Sequence, residues 1–180
     1  MKSGMMVGIF PEKKEQCTEG KYEGREVITA EMYEDYHSLQ ECVRYDQNSD
    51  TEPRAFIEHF VSIPGYAPGI MLDGFCNEEF LVSDQPFPFN ATASVLARQP
   101  IYGNVCFTLT DMRNGEVVPM TMEDCNHIIA WLRGIQQEHA EAILNLKEEY
   151  DPNFGGHKPE PKFEMESFDS IDDWLREAEE

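Results

Sequence analysis

The stretch GIMLDGFCNEEFLVSDQPFPFNATASVLARQPIYGNVCF, residues 69–107, decides the fold that the sequence predicts. It opens with apolar residues that indicate the start of a strand over residues 69–72. Asp73-Gly74 is typical of a tight turn between two strands. Residues 75–82 then predict a second strand, so the first half of this stretch indicates antiparallel sheet.

The second half of the stretch contains an extended passage, a short helix and a strand. Pro86 and Pro88 fix the extended passage, because proline restricts φ and lacks an N–H donor. Asn90 is expected to cap a short helix over residues 91–97 by accepting a hydrogen bond from its first turn. Residues 101–109 are rich in β-branched and aromatic side chains and predict a buried strand.

The segments before this stretch predict two strands, a helix and one ambiguous element. Residues 5–10 and 25–28 indicate strands, and Thr29 is a candidate N-cap for a helix over residues 30–44. The apolar face of that helix follows spacings of four, three and four residues: Met32, Tyr36, Leu39 and Val43. Residues 54–63 favour a strand, with a short helix as the alternative.

The segments after it predict a hairpin and a long helix. Asn114-Gly115 is a strong hairpin turn, and residues 116–118 are expected to pair back on the preceding strand. Thr121 and Asp124 resemble a capping box at the start of a helix that ends before Asp151-Pro152. Gly134 weakens that helix by about 1 kcal/mol relative to alanine, so a break is expected there.

The charge is the most unusual property of the chain, because its 180 residues carry a formal net charge of −21. Residues 159–180 contain nine acids and two bases, so two thirds of the net negative charge lies in the rest of the chain. Direct binding to a nucleic-acid backbone is disfavoured, because it requires clustered Lys and Arg. The expected electrostatic partner is a basic protein surface.

The cysteines and the hydropathy pattern indicate a cytoplasmic location. The five cysteines, an odd number, have no closely spaced pair, which favours reduced thiols over a disulfide framework: Cys17, Cys42, Cys76, Cys106 and Cys125. The N-terminal apolar run is too short for a signal peptide. No segment approaches the roughly 20 apolar residues of a membrane span.

Motifs for catalysis or metal binding are not found. The sequence has neither C-x-x-C nor H-E-x-x-H, and Cys125 and His127 point in different directions on a helix. Convergence of Cys42, Cys76 and His59 in the fold is the remaining zinc alternative. Cys106 and Cys125 lie in apolar patterns and are interpreted as buried structural residues. We therefore expect no catalytic residue, no metal and no cofactor.

These patterns together predict an α+β protein: a small, mostly antiparallel sheet with two main helices and an acidic C-terminal extension. Residues 1–150 are expected to form the domain and residues 151–161 a Gly/Pro linker. Residues 162–180 are expected to form an acidic tail with a short amphipathic helix that begins near Ser170.

A family resemblance is carried by the order of elements in the first two thirds of the chain. Its motifs are, in order, Leu39-Gln40-x-x-Val43 on a helix, a strand near Phe56, Asn77-Glu78-Glu79, Pro88-Phe89-Asn90, an alanine-rich short helix and Ile101-Tyr102-Gly103-Asn104-Val105. This order resembles an uncharacterised small α+β domain family of phages and Firmicute mobile elements, over residues 5–107. The chain departs by a longer loop at residues 46–54 and by the helix and acidic tail after Asp111. The resemblance implies no catalytic residues.

This setting is similar to that of anti-CRISPR and anti-restriction inhibitors, many of which occupy the nucleic-acid sites of nucleases. The leading hypothesis is an anti-defence protein that binds the basic site of a Cas9-like or restriction nuclease by acidic DNA mimicry. The candidate contacts are Glu78, Glu79, Asp84, Glu123, Asp124, Glu164, Glu166, Phe168, Asp169, Asp172, Asp173 and Trp174. The alternatives are a regulatory adaptor that binds another host or phage protein and a small enzyme with an unrecognised Cys/His site.

Overall fold

The computed structural model describes residues 3–14, 17, 21–44, 55–61, 68–77 and 87–154. Within these ranges the chain forms six strands and four helices. In chain order they are β1 Gly4–Pro11, β2 Glu26–Tyr33, α1 Tyr36–Cys42, β3 Ala55–Val61, β4 Ile70–Asn77, α2 Ala91–Ala97, β5 Val105–Asp111, β6 Glu116–Val118, α3 Met122–Glu138 and α4 Ala140–Tyr150. The predicted linker and tail lie outside the described residues from residue 155 onward.

The strands form one antiparallel sheet in the order β2-β1-β5-β4-β3, and β6 also pairs with β5. The short β6 occupies the part of the β5 edge that β1 does not reach, since β1 pairs with residues 105–107 of β5 and β6 with residues 109–111. The α+β class with a mostly antiparallel sheet is thereby confirmed. Among the described helices, none is long and apolar enough to cross a bilayer.

Hydrophobic residues cover both faces of the sheet. On one face, β1 and β5 pack against α2 and α3 through Val7, Ile9, Val105, Phe107, Ala93, Cys125, Ile128 and Leu132. On the other face, a smaller cluster lies under α1 and contains Met6, Tyr33, Leu39, Val43, Phe75 and Cys106. The side chains of β1 and β5 alternate between the two clusters, as the period-2 geometry of a strand requires.

The elements set by local chemistry form where the sequence predicts them. Asn90 accepts a hydrogen bond from the Ala93 N–H, and its own amide donates to the Gly103 carbonyl at 3.0 Å. The hairpin forms around Asn114-Gly115, with Glu116 opposite Asp111. Residues 55–61 are a strand, which resolves the ambiguity at residues 54–63 in favour of that alternative.

The predicted helix over residues 30–44 is wrong in its first part. Residues Glu26–Tyr33 form one continuous strand, so Thr29 is not an N-cap. The helix begins at Tyr36 and is capped by Asp35, whose side chain accepts from the Ser38 N–H. The reason is long-range pairing, because all eight residues of β2 have a partner in β1. Met32 therefore lies on a strand and is 76% exposed.

The predicted turn at Asp73-Gly74 is also wrong. Both residues lie within β4, where Asp73 is opposite Thr108 and Gly74 is opposite Phe107 on β5. An Asp-Gly pair favours a turn only where no neighbouring strand competes for its backbone, and β4 has a partner on each side. The rest of the predicted strand over residues 75–82 is described only as far as Asn77.

The long C-terminal helix breaks five residues later than the sequence predicts. Gly134 lies inside α3, and the break falls at His139, which ends α3 and precedes α4. Beyond the break, Ile143 and Leu146 pack into a separate cluster with Phe89. Packing onto that cluster, and not the low helix propensity of Gly134, sets the position of the break.

The prediction of reduced thiols is wrong for one pair of cysteines. Cys42 and Cys106 form a disulfide that links the C-terminal end of α1 to the N-terminal end of β5. The two cysteines are 64 residues apart, so sequence spacing could not predict that they pair. Cys125 is a buried free thiol. The cytoplasmic location stays a prediction.

Candidate partner-binding surface

Four methionines gather at one corner of the sheet. Met5 on β1 is opposite Met32 on β2, and on its other side it forms an isolated bridge with Met120. Residues directly opposite each other in antiparallel strands share a face of the sheet, so the three form one row. Met122, two residues after Met120, is the first residue of α3. We call these four residues the methionine corner.

The outer part of the methionine corner is open to solvent and its inner part is closed. Met32 is 76% exposed and Met122 is 53% exposed, whereas Met120 is 4% exposed. Beneath them the Cys125 sulfur lies 3.9 Å from the Met120 sulfur. The corner is therefore an apolar surface on a rigid floor, and methionine is the side chain that adapts most readily to an irregular partner.

Exposed carboxylates neighbour Met32 and Met122 along the chain, and we call them the acidic rim: Glu31, Glu34, Asp35 and Glu123. Glu31 is opposite Met6, so its side chain lies on the other face of the sheet from Met32. Glu31 precedes Met32, Glu34 and Asp35 follow the end of β2, and Glu123 follows Met122. All four residues are exposed, and none forms an ion pair with another described residue. An apolar centre with a charged rim is the usual anatomy of a protein interface.

The geometry around Asp35 keeps that member of the rim ionised. The backbone N–H of Ser38 donates to Asp35 Oδ1 at 2.9 Å. This hydrogen bond is the main reason that the pKa of the Asp35 carboxyl is lowered from its ordinary value. Asp35 therefore stays ionised to lower pH than an aspartate of ordinary pKa.

Two of the predicted contact residues are described, and their environments differ. Glu123 belongs to the acidic rim. Asp124 lies beside it, but its Oδ2 atom accepts from the Thr121 N–H at 2.7 Å and from the Thr121 hydroxyl at 2.8 Å. Asp124 thus completes the predicted capping box of α3. The other predicted contacts lie outside the described residues: Glu78, Glu79, Asp84, Glu164, Glu166, Phe168, Asp169, Asp172, Asp173 and Trp174.

The sequence argument missed Glu31, Glu34 and Asp35 as contacts. It assigned all three to one helix or its cap, where acidic residues near the N-terminus are explained by the helix dipole. The placement of residues 26–33 in a strand removes that explanation for Glu31, whereas Asp35 caps the N-terminus of α1. The sequence did contain a signal for the strand, because Val27, Ile28 and Thr29 are β-branched and favour a strand.

Several cations of the chain are already paired with its own carboxylates. The pairs are Arg25 with Glu23, Arg44 with Glu41, Arg113 with Asp111 and Lys147 with Glu26. The Arg113 side chain donates two hydrogen bonds to Asp111 and lowers the pKa of that carboxyl to about 2. None of these pairs includes a carboxylate of the acidic rim.

A buried polar network lies at the other end of β2. The carboxylate of Glu26 accepts from the Thr92 N–H at 2.9 Å and lies 3.7 Å from the Lys147 ammonium. The hydroxyl of Tyr22 donates to Asp151 Oδ2 at 2.6 Å. Burial is the main cause of the raised pKa of both carboxyls. The network connects β2 and the preceding loop to α2 and α4.

Cys106 and Cys125 are withdrawn from solvent in the core of the protein. Cys106 is in the disulfide, and Cys125 is 0% exposed with a pKa raised mainly by burial. Both are buried structural residues, as the sequence predicts. Within the described part of the chain, no three His, Cys, Asp or Glu side chains come close enough together to hold a metal ion.

Comparisons with known proteins give no template for this surface. No protein-family model, curated protein or solved structure matches the chain at a significant level. The methionine corner and the acidic rim are defined by the strand register, the exposure and the charges of this chain.

Proposed function

We propose that this protein acts by binding and not by catalysis, and that its partner is a basic protein surface. The nucleic-acid channel of a Cas9-like or restriction nuclease is the partner class that fits best, which would make the chain an anti-defence protein of a phage or mobile element. The observation that supports this most strongly is that exposed Met32 and Met122 have exposed carboxylates as chain neighbours, none of which forms an ion pair with another described residue.

The chemistry of such a channel complements the methionine corner and the acidic rim. A nuclease complex holds its target in a positively charged channel and reads the short recognition element through arginines. Carboxylates bind arginine side chains through charge-assisted, often bidentate hydrogen bonds. The methionines would then pack on the aliphatic stems of the same arginines and lysines.

The net charge of −21 supports the same partner class. Like charges repel a nucleic acid, so the chain would compete with the nucleic acid for the protein and not bind the nucleic acid itself. Opposite charges also accelerate the encounter with a basic surface at low salt. Both effects are properties of the whole chain, whereas the methionine corner provides a place for contact.

A regulatory adaptor is the second candidate, and the exposed methionines favour it. Met32 and Met122 give an apolar contact that does not require a basic partner. The two candidates differ in their response to salt, because screening weakens binding between charged surfaces and leaves apolar contact almost unchanged. Binding that is equally tight at low and high salt would favour the adaptor.

The test is direct binding to a purified, guide-loaded Cas9-like nuclease at about 0.05 M and about 0.5 M NaCl. We expect binding that weakens at least about tenfold over this range, with nuclease inhibition that weakens in parallel. A restriction endonuclease is the second partner to be tested in the same way. Absence of binding to either nuclease at low salt would contradict the proposed partner class.

A further inference from the structure

The outer strand β2 offers a second element of recognition beside the methionine corner. Within the described part of the sheet, β2 pairs with β1 on one side and with no strand on the other. It is eight residues long, which exceeds the length of a typical strand. An exposed strand edge presents a row of unpaired backbone groups that can bind another strand.

The hydrogen-bond pattern shows which backbone groups face outward. The Glu12 N–H donates to the Arg25 carbonyl at 2.7 Å, so these two residues form a hydrogen-bonded pair just beyond the ends of the strands. Bonded and non-bonded pairs alternate in an antiparallel ladder, so the next pair, Pro11 with Glu26, is non-bonded. Proline lacks an N–H, which agrees with that assignment.

The same alternation continues along the whole of β2, because its register with β1 has no interruption. The backbone groups of Val27, Thr29 and Glu31 therefore point toward β1. Those of Ile28, Ala30 and Met32 point away from it. In the described part of the chain, no hydrogen bond to the outward-facing backbone groups of these three residues is found.

The edge also lacks three features that can protect a strand from pairing. Its sequence, EVITAEMY, contains no lysine and no proline, and its ladder has no bulge. The opposite edge of the sheet differs, because β3 has an irregularity in its register between His59 and Val61. A bulge of this kind twists a strand away from edge-to-edge pairing. The unprotected edge is therefore β2.

We infer that the β2 edge binds an extended, basic segment of the partner by strand addition. Pairing would use the outward backbone groups of Ile28, Ala30 and Met32, and basic side chains of the segment would meet Glu31 and Glu34 of the acidic rim. Charge selects this occupant over a second copy of the chain, because each copy has a net charge of −21. The inference rests on the proposed function and adds the conformation of the bound segment.

The test uses a synthetic peptide of alternating lysine and valine residues and the variant Ala30→Pro. Proline at position 30 removes an outward-facing N–H and no bond to β1, so the strand is expected to persist. The matched control Ala30→Val keeps the N–H. We expect peptide affinity to fall about tenfold in Ala30→Pro, as lost backbone hydrogen bonds predict, and to be unchanged in Ala30→Val.

Amide hydrogen exchange gives a second readout that does not depend on a variant. In the wild-type chain, bound peptide should slow exchange at Ile28, Ala30 and Met32 much more than at Val27 and Thr29, which are already bonded to β1. Peptide that binds without slowing exchange at the first three residues would overturn strand addition. Self-association of the wild-type chain that Ala30→Pro abolishes would assign the edge to a second copy and also overturn it.

The outcomes separate this inference from the proposed function. Salt-sensitive binding of the nuclease that is equally tight in Ala30→Pro and wild type would overturn strand addition and leave the proposed function in place. Failure of the nuclease to bind the wild-type chain at low salt would contradict the proposed function. Slowed exchange with the peptide would still support strand addition in that case.

Discussion

The two ends of β2 use their carboxylates in opposite ways. Glu26, at the first residue of the strand, has a side chain that is 2% exposed and lies between the Thr92 N–H and the Lys147 ammonium. Glu31, five residues later, is exposed, and its one described hydrogen bond is with the neighbouring Thr29 hydroxyl. The first carboxylate stabilises the fold, whereas the second remains available to a partner.

This difference teaches that the number of acidic residues does not locate a binding surface. A carboxylate that is partly or fully buried and accepts hydrogen bonds from its own chain, such as Glu26 or Asp124, is already committed to the fold. A carboxylate that is exposed and forms no ion pair with another described residue, such as Glu34, adds to the potential that a partner meets. Exposure and local pairing separate the two groups where composition cannot.

The largest expected effect is on stability, through the buried end of β2 at Glu26. Lys147→Met removes the cation beside Glu26 and leaves that carboxylate buried without its charge partner. We expect the free energy of unfolding in urea to fall by about 3 kcal/mol at neutral pH. The matched change on the exposed end, Glu31→Gln, should alter it by less than about 0.5 kcal/mol. Equal losses of unfolding free energy in the two variants would contradict the different roles of Glu26 and Glu31.

An intermediate effect is expected on binding at the exposed end. The double variant Met32→Ala/Met122→Ala removes the apolar centre of the methionine corner and should weaken the nuclease complex about tenfold, which corresponds to about 1.4 kcal/mol. Leu144→Ala on α4, where the side chain is 47% exposed, is the matched control and should leave affinity unchanged. An equal loss of affinity in the control would mean that the corner has no special role.

The smallest expected effect is the pH dependence of stability that Glu26 causes. Burial raises the pKa of this carboxyl in the folded chain, so the folded state retains a proton that the unfolded state has released. The stabilisation from this group is therefore present at acidic pH and is lost as pH rises through the folded pKa. Relative to Glu26→Gln, the wild-type chain should be more stable at about pH 5 than at about pH 7.5.

Urea unfolding of the wild-type chain and of Glu26→Gln at both pH values measures this difference in stability directly. Glu31→Gln is the control, because the Glu31 side chain is exposed, whereas the Glu26 side chain is buried. If the stability of the wild-type chain relative to Glu26→Gln increased with rising pH, the sign would be reversed. That result would contradict the burial of an ionisable Glu26.

The parts of the fold that the sequence predicts are those decided within a few residues. Asn90 bonds to Ala93, Thr121 bonds to Asp124, and Asn114-Gly115 closes its own turn. Each of these interactions spans at most a few residues, so local composition is sufficient to reveal it. The start of α1 was mispredicted because the competing interaction, the pairing of β2 with β1, joins residues that are distant along the chain.

The candidate surface could not be predicted from the sequence for the same reason. Met5, Met32 and Met120 come from three separate segments, and the strand register alone brings them into one row. Glu123 was predicted as a contact because it is acidic, but its neighbours in space were unknown. The net charge predicts the class of partner, whereas the register gives the place where that partner would bind.

The most direct test compares two charge reversals with the same total charge. Glu31→Lys/Glu34→Lys changes the acidic rim, and Glu138→Lys/Glu141→Lys changes exposed residues at the end of α3 and the start of α4. Glu138 lies about 22 Å from Glu123 along α3. Binding to the guide-loaded nuclease at low salt should weaken by about tenfold or more in the first variant and by less than about threefold in the second. Equal weakening by the two variants would show that net charge, and not the methionine corner with its rim, determines binding.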